Sequence, residues 1–201
     1  LAAACVDDVE KHCSDIEPGQ GRVHECLREK ESELSPACKK AEIELEAVEI
    51  EDIRLKPRLM EACQLSATRL CADIKPGNGN LLECLQSKAA DDDMDPKCAK
   101  LLRKQSVREN SHLAFNLRVK QACKSQVSKL CNVEGDDASI NEAAVNATVD
   151  PFLCLISKRS EIDNKMCSRV LNGSIKRAFV FYNLGTEVTK ACDDEASRFC
   201  G

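Results

Sequence analysis

Fourteen cysteines, three histidines and a scatter of serines and carboxylates are the residues in this chain whose types could do chemistry. A metal knuckle needs Cys-x2-Cys spacing so that two thiolates reach one ion. Here the nearest two cysteines are eight positions apart, and His12, His24 and His112 do not recur with them. Serine, histidine and aspartate occur, but without a nucleophile elbow, a Gly-rich phosphate loop or a His-Glu-x-x-His motif. A reactive thiol needs a setting that lowers its pKa, whereas cysteines that repeat with a structural period read as bridged. No catalytic, metal or cofactor-binding residue is therefore assigned, and the chain is read as a non-enzyme. An even cysteine count without knuckles points instead to disulfides and an oxidising lumen.

The cysteines fall at 5, 13, 26 and 38, then 63, 71, 84 and 98, then 123, 131, 154 and 167, and finally 192 and 200. The first two of every set are eight apart, and 25 positions separate each fourth cysteine from the next first. Self-similarity of this kind marks a repeat architecture. The expected division is repeat 1 at 1–62, repeat 2 at 63–122, a divergent repeat 3 at 123–191 and the start of a fourth at 192–201. In the third copy an inserted loop, 132–150, replaces the Pro-Gly-x-Gly of Pro18 to Gly21 and Pro76 to Gly79.

Each copy reads as three helices. Leu59, Ala62, Ala67 and Leu70 share helical spacing around Cys63 and Cys71. A Pro-Gly turn follows, then a second helix through Leu81, Leu82 and Leu85. Ser35-Pro36 and Asp95-Pro96 read as an N-cap with proline at the first helical position. The third helix is expected to run on through Leu101, Leu102, Val107, Leu113, Leu117 and Val119. In the first copy Pro57 is expected to break or kink that connection near Leu55. The fold class is thus all-α: disulfide-stapled helical repeats stacked as a short solenoid.

Helix geometry restricts the bridges. Cysteines eight apart on a helix are separated by about 12 Å along its axis, beyond the ~7 Å Cα limit for a bridge. In an antiparallel hairpin the second and third cysteines lie at the turn end, and the first and fourth at the other. The inferred pairs are Cys5–Cys38, Cys13–Cys26, Cys63–Cys98, Cys71–Cys84, Cys123–Cys167 and Cys131–Cys154, one of three connectivities open to each four-cysteine set. Cys192 and Cys200 are left unpaired or intermolecular.

With 29 Lys+Arg against 34 Asp+Glu, well mixed, the chain carries a net charge of −5. That argues against a nucleic-acid partner, which would call for a basic stripe. Aromatics make up only 3%, so a conventional aromatic core is not expected. The most apolar stretch, Arg177 to Gly185, falls far short of the ~20 residues that span a bilayer. A membrane contact is expected only through a tether or partner outside this chain. It opens on Leu1 rather than Met, which reads as a processed or excised piece.

The unit Cys-x7-Cys, then Asp-Ile-x-Pro-Gly-x-Gly-x4-Cys-Leu, then Ser/Asp-Pro-x-Cys, resembles the cysteine-rich repeat of the Golgi apparatus protein 1 family. Members are also described as cysteine-rich fibroblast growth factor receptors and E-selectin ligands. The motif stands here as Asp15-Ile16-Glu17-Pro18-Gly19-Gln20-Gly21 with Cys26-Leu27, and as Asp73-Ile74-Lys75-Pro76-Gly77-Asn78-Gly79 with Cys84-Leu85. Glu51 to Pro57, six positions before Cys63, is similar to the family's join between repeats. The resemblance implies a lumenal array of the secretory pathway that binds growth factors and other glycoproteins, with no catalytic residue and no mapped ligand motif to carry over.

Several segments are candidates for contact or modification. Asn146-Ala-Thr148 and Asn172-Gly-Ser174 are N-glycosylation sequons. Phe179, Phe181 and Tyr182 gather three of the six aromatics and are either core or a partner anchor. The run Glu42 to Asp52 reads as one charged face of an amphipathic helix, with docking of a basic growth factor as the sharper reading. Lys100, Arg103, Lys104 and Arg108 fall on one helix as a basic stripe that a sulfated glycan could use. Glu109 and the nearby Asp91 to Asp93 weaken it, and a solvated face is the default reading. Asp91-Asp92-Asp93 lacks the ligand alternation of a calcium loop and reads as a solvated connection. The functional expectation is a lumenal binding and scaffold protein, with Golgi as the first compartment and an extracellular space or another organelle lumen as the alternative. Its rivals are a structural subunit of a larger assembly and, less favoured, a saposin-like lipid binder.

Overall fold

The computed structural model describes residues 3–146, 150–180 and 192–199. Among these the regular elements are α-helices and short 3-10 turns. In order, the helices are α1 (Val6–His12), α2 (Arg22–Glu29), α3 (Pro36–Glu51), α4 (Pro57–Leu70), α5 (Asn80–Ser87), α6 (Pro96–Glu109), α7 (Leu117–Cys131), α8 (Asp137–Asn146), α9 (Pro151–Ser157), α10 (Lys165–Val180) and α11 (Asp193–Phe199). The chain divides into two compact units, 1–99 and 100–201. The cysteine frame sets repeat borders at 62/63 and 122/123, whereas compactness divides after Ala99. The first unit therefore holds both four-cysteine sets up to Cys98, and the second holds the third set whole.

Helix starts follow from local chemistry. Ser35 caps α3 by accepting the Cys38 N–H at 3.3 Å, and Asp95 accepts those of Lys97 and Cys98 at the start of α6. Asn164 does the same for Met166 and Cys167 ahead of α10. Pro57 takes the first position of α4, where its missing N–H leaves no helical bond unmade. The turns before α2 and α5 need left-handed backbone. Gly19, Gln20 and Gly21 have φ of 121°, 51° and 77°, and Gly77, Asn78 and Gly79 have 100°, 50° and 69°. Glycine adopts such angles without a Cβ penalty, so the repeated Pro-Gly-x-Gly is a backbone requirement.

Among the described residues six bridges join the helices: Cys5–Cys38, Cys63–Cys98 and Cys123–Cys167, with Cα separations of 4.6, 4.7 and 4.7 Å, and Cys13–Cys26, Cys71–Cys84 and Cys131–Cys154, at 6.1, 6.2 and 5.9 Å. Beside each first-to-fourth bridge a polar clamp ties the first helix to the start of the third. Asp8 accepts both the Ser35 N–H and its hydroxyl, at 2.8 and 2.7 Å. Ser66 Oγ accepts the Asp95 N–H at 2.9 Å. The Gln126 amide donates to Asp163 at 2.7 Å.

In the first unit Cys5, Cys13, Val23, Leu27, Leu34 and Cys38 form a small buried cluster. In the second, α7 packs against α9 and α10, burying Val119, Cys123, Val127, Phe152, Leu155 and Leu171. With so little aromatic area, these covalent staples do what larger cores do elsewhere.

Two expectations are corrected. The third helix of the second copy does not run on to Val119: α6 ends at Glu109, a 3-10 turn covers Leu113–Phe115, and α7 starts at Leu117. The break is built by polar side chains, since Asp150 takes the Leu113 N–H at 3.0 Å and Asn116 caps α7 through the Val119 N–H. The insertion 132–150 is not a loop throughout, because it contains α8. Asp136 caps that helix by accepting the Ser139 N–H at 2.9 Å, and Ile140 and Ala144, one turn apart, are buried beneath it. Ahead of α8, Gly135 donates its N–H to Ser128 Oγ. A Cβ at Gly135 would overlap the Lys124 carbonyl, so the chain passes α7 too closely for any other residue.

Candidate functional site

Helix α3 carries the acidic run, and its orientation differs from the one expected. Glu42 and Glu46 point inward with Ile43, Ala47 and Ile50, while Leu45 and Val48 face solvent at 37% and 56% exposure. The inward carboxylates surround Arg28 of α2. Its guanidinium donates to Glu42 at 3.1 Å and to Glu49 at 2.8 Å, and lies 3.7 Å from Glu46. His24 Nδ1 is 2.7 Å from Glu42, and Lys56 donates to Glu46 at 3.2 Å. Glu42, Glu46 and Glu49 stand at i, i+4 and i+7, one stripe of the helix, and cations from α2 and the turn after α3 close over it.

The electrostatics follow from that geometry. Burial opposes the charge on Arg28, but the Glu46, Glu49 and Glu42 carboxylates more than offset it and hold the guanidinium above its ordinary pKa. Burial draws the Lys56 ammonium below its ordinary value despite Glu46, and Arg28 adds to that depression. Every carboxylate of the stripe is already engaged by a cation, so the cluster fixes α2, α3 and the following turn in register. A solvated charged face is thus corrected to a largely buried ion network.

The other copies show how unusual this is. Counted from their cysteines, His24 and Glu42 correspond to Leu82 and Leu102, and then to Phe152 and Leu171, all buried. Arg28 and Glu46 correspond to Gln86 and Ser106, and then to Ile156 and Ile175. Apolar or neutral residues stand at these four positions in the other copies, while Glu49 corresponds to Glu109, itself buried, and to Ala178.

The remaining candidates are placed as follows. Asn172 is exposed midway along α10, but Ser174 of the same sequon is buried, donating to Asn110 and accepting from the Asn116 amide. Asn146 ends α8; its side chain, and Thr148, lie outside the described residues. Phe179 is in the last turn of α10, and its side chain, together with Phe181, Tyr182 and Cys200, likewise lies outside them. Cys192 directly precedes α11 and is a free, exposed thiol. Lys100, Arg103 and Lys104 are exposed on α6, whereas Arg108 is drawn off the stripe, its guanidinium 4.6 Å from the centroid of the Phe115 ring. Asp91, Asp92 and Asp93 are exposed, and the Asp91 carboxylate accepts the Asp93 N–H as a simple turn. Among the described residues no group of three or more His, Cys, Asp or Glu is arranged to hold a metal ion, and no helix is long and apolar enough to cross a membrane.

Comparison with known proteins converges with this framework. Residues 1–34 and 36–93 match the model of a family described as cysteine rich repeat. The match takes in the first copy of the repeat and most of the second. Golgi apparatus protein 1 of chicken is 27% identical over 209 residues and that of human 26% over 205, each match taking in 100% of this chain and 17% of the relative. A Golgi apparatus protein 1 homolog of Caenorhabditis elegans is 23% identical over 174 residues, covering 83% of the chain and 15% of the relative. The chain thus spans about a sixth of the length of the curated relatives it matches. No solved structure matches it. Neither the family description nor these relatives' names is that of an enzyme.

The sequence reading missed Leu45, Val48 and Leu55, apolar residues exposed at 37%, 56% and 50%. Hydropathy assigns such residues to the core. The signal that separates them lies in the partner-seeking Arg28 and Lys56, which claim the acidic side of α3 for the interior.

Proposed function

We propose that this chain is a non-catalytic binding and scaffold segment of the secretory lumen, with the Golgi as its first compartment, that recognises secretory glycoproteins or growth factors through its repeat surfaces. The observation that carries the reading is the match of the whole chain to proteins named Golgi apparatus protein 1. The six bridges support the compartment, because such bonds persist where thiols are not kept reduced. They also support the mode of action: helices stapled at both ends present preorganised surfaces, which lowers the ordering cost of binding.

The test uses the purified, oxidised chain. The reading expects a monomer in sedimentation velocity that binds members of a panel of secreted glycoproteins and growth factors at micromolar or lower Kd. A chain that binds none of them, or that instead extracts lipid from vesicles, would refute it.

A further inference from the structure

We propose that Leu45, Val48 and Leu55, with Met60 beside them, form a docking face for a basic amphipathic helix of a partner protein. This deepens the reading of the chain as a protein-binding array and rests on it. The equivalent face in the second unit is already occupied by a helix.

Counted from the cysteines, Val48, Leu55 and Met60 correspond to Arg108, Phe115 and Lys120. Arg108 stacks on Phe115, so helix residue and 3-10 turn residue are neighbours at these two positions. Helix α8 packs on the turn Leu113–Phe115, and its Asp137 pairs with Lys120 at 3.1 Å. The result is complete burial: Phe115 and Ile140 are 0% exposed and Ala144 6%. The insertion of the third copy thus supplies a helix, with apolar residues at i and i+4, that seats on this face.

The second copy has no such insertion. Its Pro76-Gly77-Asn78-Gly79 turn meets the Glu51 carbonyl, through the Gly79 N–H at 2.9 Å. Val48 and Leu55 therefore remain exposed at 56% and 50%. The face is also more apolar than its counterpart, with Val48 and Met60 in place of Arg108 and Lys120. A single exposed leucine is ordinary in any protein. Val48, Leu55 and the half-buried Met60 lie on a surface whose equivalent, Arg108, Phe115 and Lys120, is sealed by a helix in the same chain, a matched site without its cover. Leu45 is exposed three positions before Val48 on the same helix.

Charge specifies the occupant. In the second unit the face offers Lys120 and receives acidic Asp137. In the first, the lysine is replaced by Met60, and the exposed charges near the face are Glu44, Glu51 and Glu61. Arg54 and Arg58 are tied to Asp52 and Glu25 and do not neutralise them. A helix seated here meets apolar residues at its centre and carboxylates at its rim, which selects lysine or arginine on its flanks.

The test uses two synthetic helical peptides with isoleucine and alanine spaced as Ile140 and Ala144 are, one flanked by lysines and one by glutamates. Binding to the oxidised chain is followed by fluorescence anisotropy. The lysine-flanked peptide should bind about tenfold or more tighter than the other. Val48→Glu with Leu55→Glu should weaken it by at least about tenfold, and Glu44→Lys with Glu61→Lys should reverse the preference between peptides. All four positions are exposed, and circular dichroism checks that each variant keeps its helices. No binding by either peptide, or affinities unmoved by the variants, overturns the proposal. So does concentration-dependent self-association that Val48→Glu with Leu55→Glu abolishes, which would make the face a contact between two copies. If the peptides fail while the chain still binds secretory proteins, the docking face falls and the binding function stands.

Discussion

Replacing Arg28 with methionine should destabilise the first unit more than any other single surface-to-core charge change in it. The side chain is 12% exposed and engages Glu42, Glu46 and Glu49, which are 6%, 2% and 14% exposed. Methionine preserves much of the volume but removes the guanidinium that three carboxylates share, leaving Lys56 at Glu46 and His24 at Glu42. Removing one partner of a buried ion network costs about 3–5 kcal/mol, because the remaining charges stay desolvated without compensation. At a denaturant slope of about 1.5 kcal/mol per molar urea, this lowers the midpoint by roughly 2–3 M. The assay is urea unfolding of the oxidised chain, followed by circular dichroism at neutral pH. The paired change His24→Leu with Glu42→Leu is the control, because it installs the residues that Leu82 and Leu102 supply in the second copy. Replacing a buried pair with apolar residues of similar volume is close to neutral, so its shift should stay within about 1 kcal/mol. A loss below about 1 kcal/mol for Arg28→Met, or a larger loss for the paired change than for the single one, would falsify the view that these charges are mutually dependent.

Three further outcomes follow from the same contacts. In the loop-entropy account, cutting Cys5–Cys38, which closes a separation of 33 residues, should cost about 4 kcal/mol, and cutting Cys13–Cys26, at 13, about 3; paired Cys→Ala variants compared by thermal unfolding report the order. Bonds from Ser35 hold the Asp8 carboxyl below its ordinary value, so its contribution is present above pH ~4 and is lost as pH falls through the depressed folded pKa. Urea midpoints measured from pH 6 down to 2 should therefore fall less steeply in Asp8→Asn than in the wild type. Ser174→Ala leaves the buried Asn116 amide and Asn110 oxygen without the hydroxyl they share, which should cost about 1–3 kcal/mol, read as an earlier unfolding transition of the second unit.

Much of the fold was legible because its determinants are local. Ser35-Pro36 and Asp95-Pro96 announce helix starts through capping and proline geometry. Pro57 marks a break, and Pro-Gly-x-Gly demands left-handed backbone. What was not legible depends on contacts distant in sequence. Glu42 and Glu46 look like surface residues until Arg28, 14 and 18 positions earlier on another helix, is seen to meet them. Comparing the copies position by position exposes the anomaly, since Leu82, Leu102, Phe152 and Leu171 mark the site as interior. Helix α8 was hidden by the polar composition of its segment, although Asp136 and Ser139 form a cap and Ile140 and Ala144 an apolar stripe. The break after α6 depends on Asp150, some 40 positions on, which no local pattern reveals.

Function is decided most directly by what accompanies the native protein. Gentle purification from its source under non-reducing conditions, followed by sizing and quantitative mass spectrometry, measures this. The account predicts the chain alone or with secretory cargo whose identity and amount vary between preparations. A single fixed, stoichiometric complex in every preparation would contradict it and make the chain an architectural subunit.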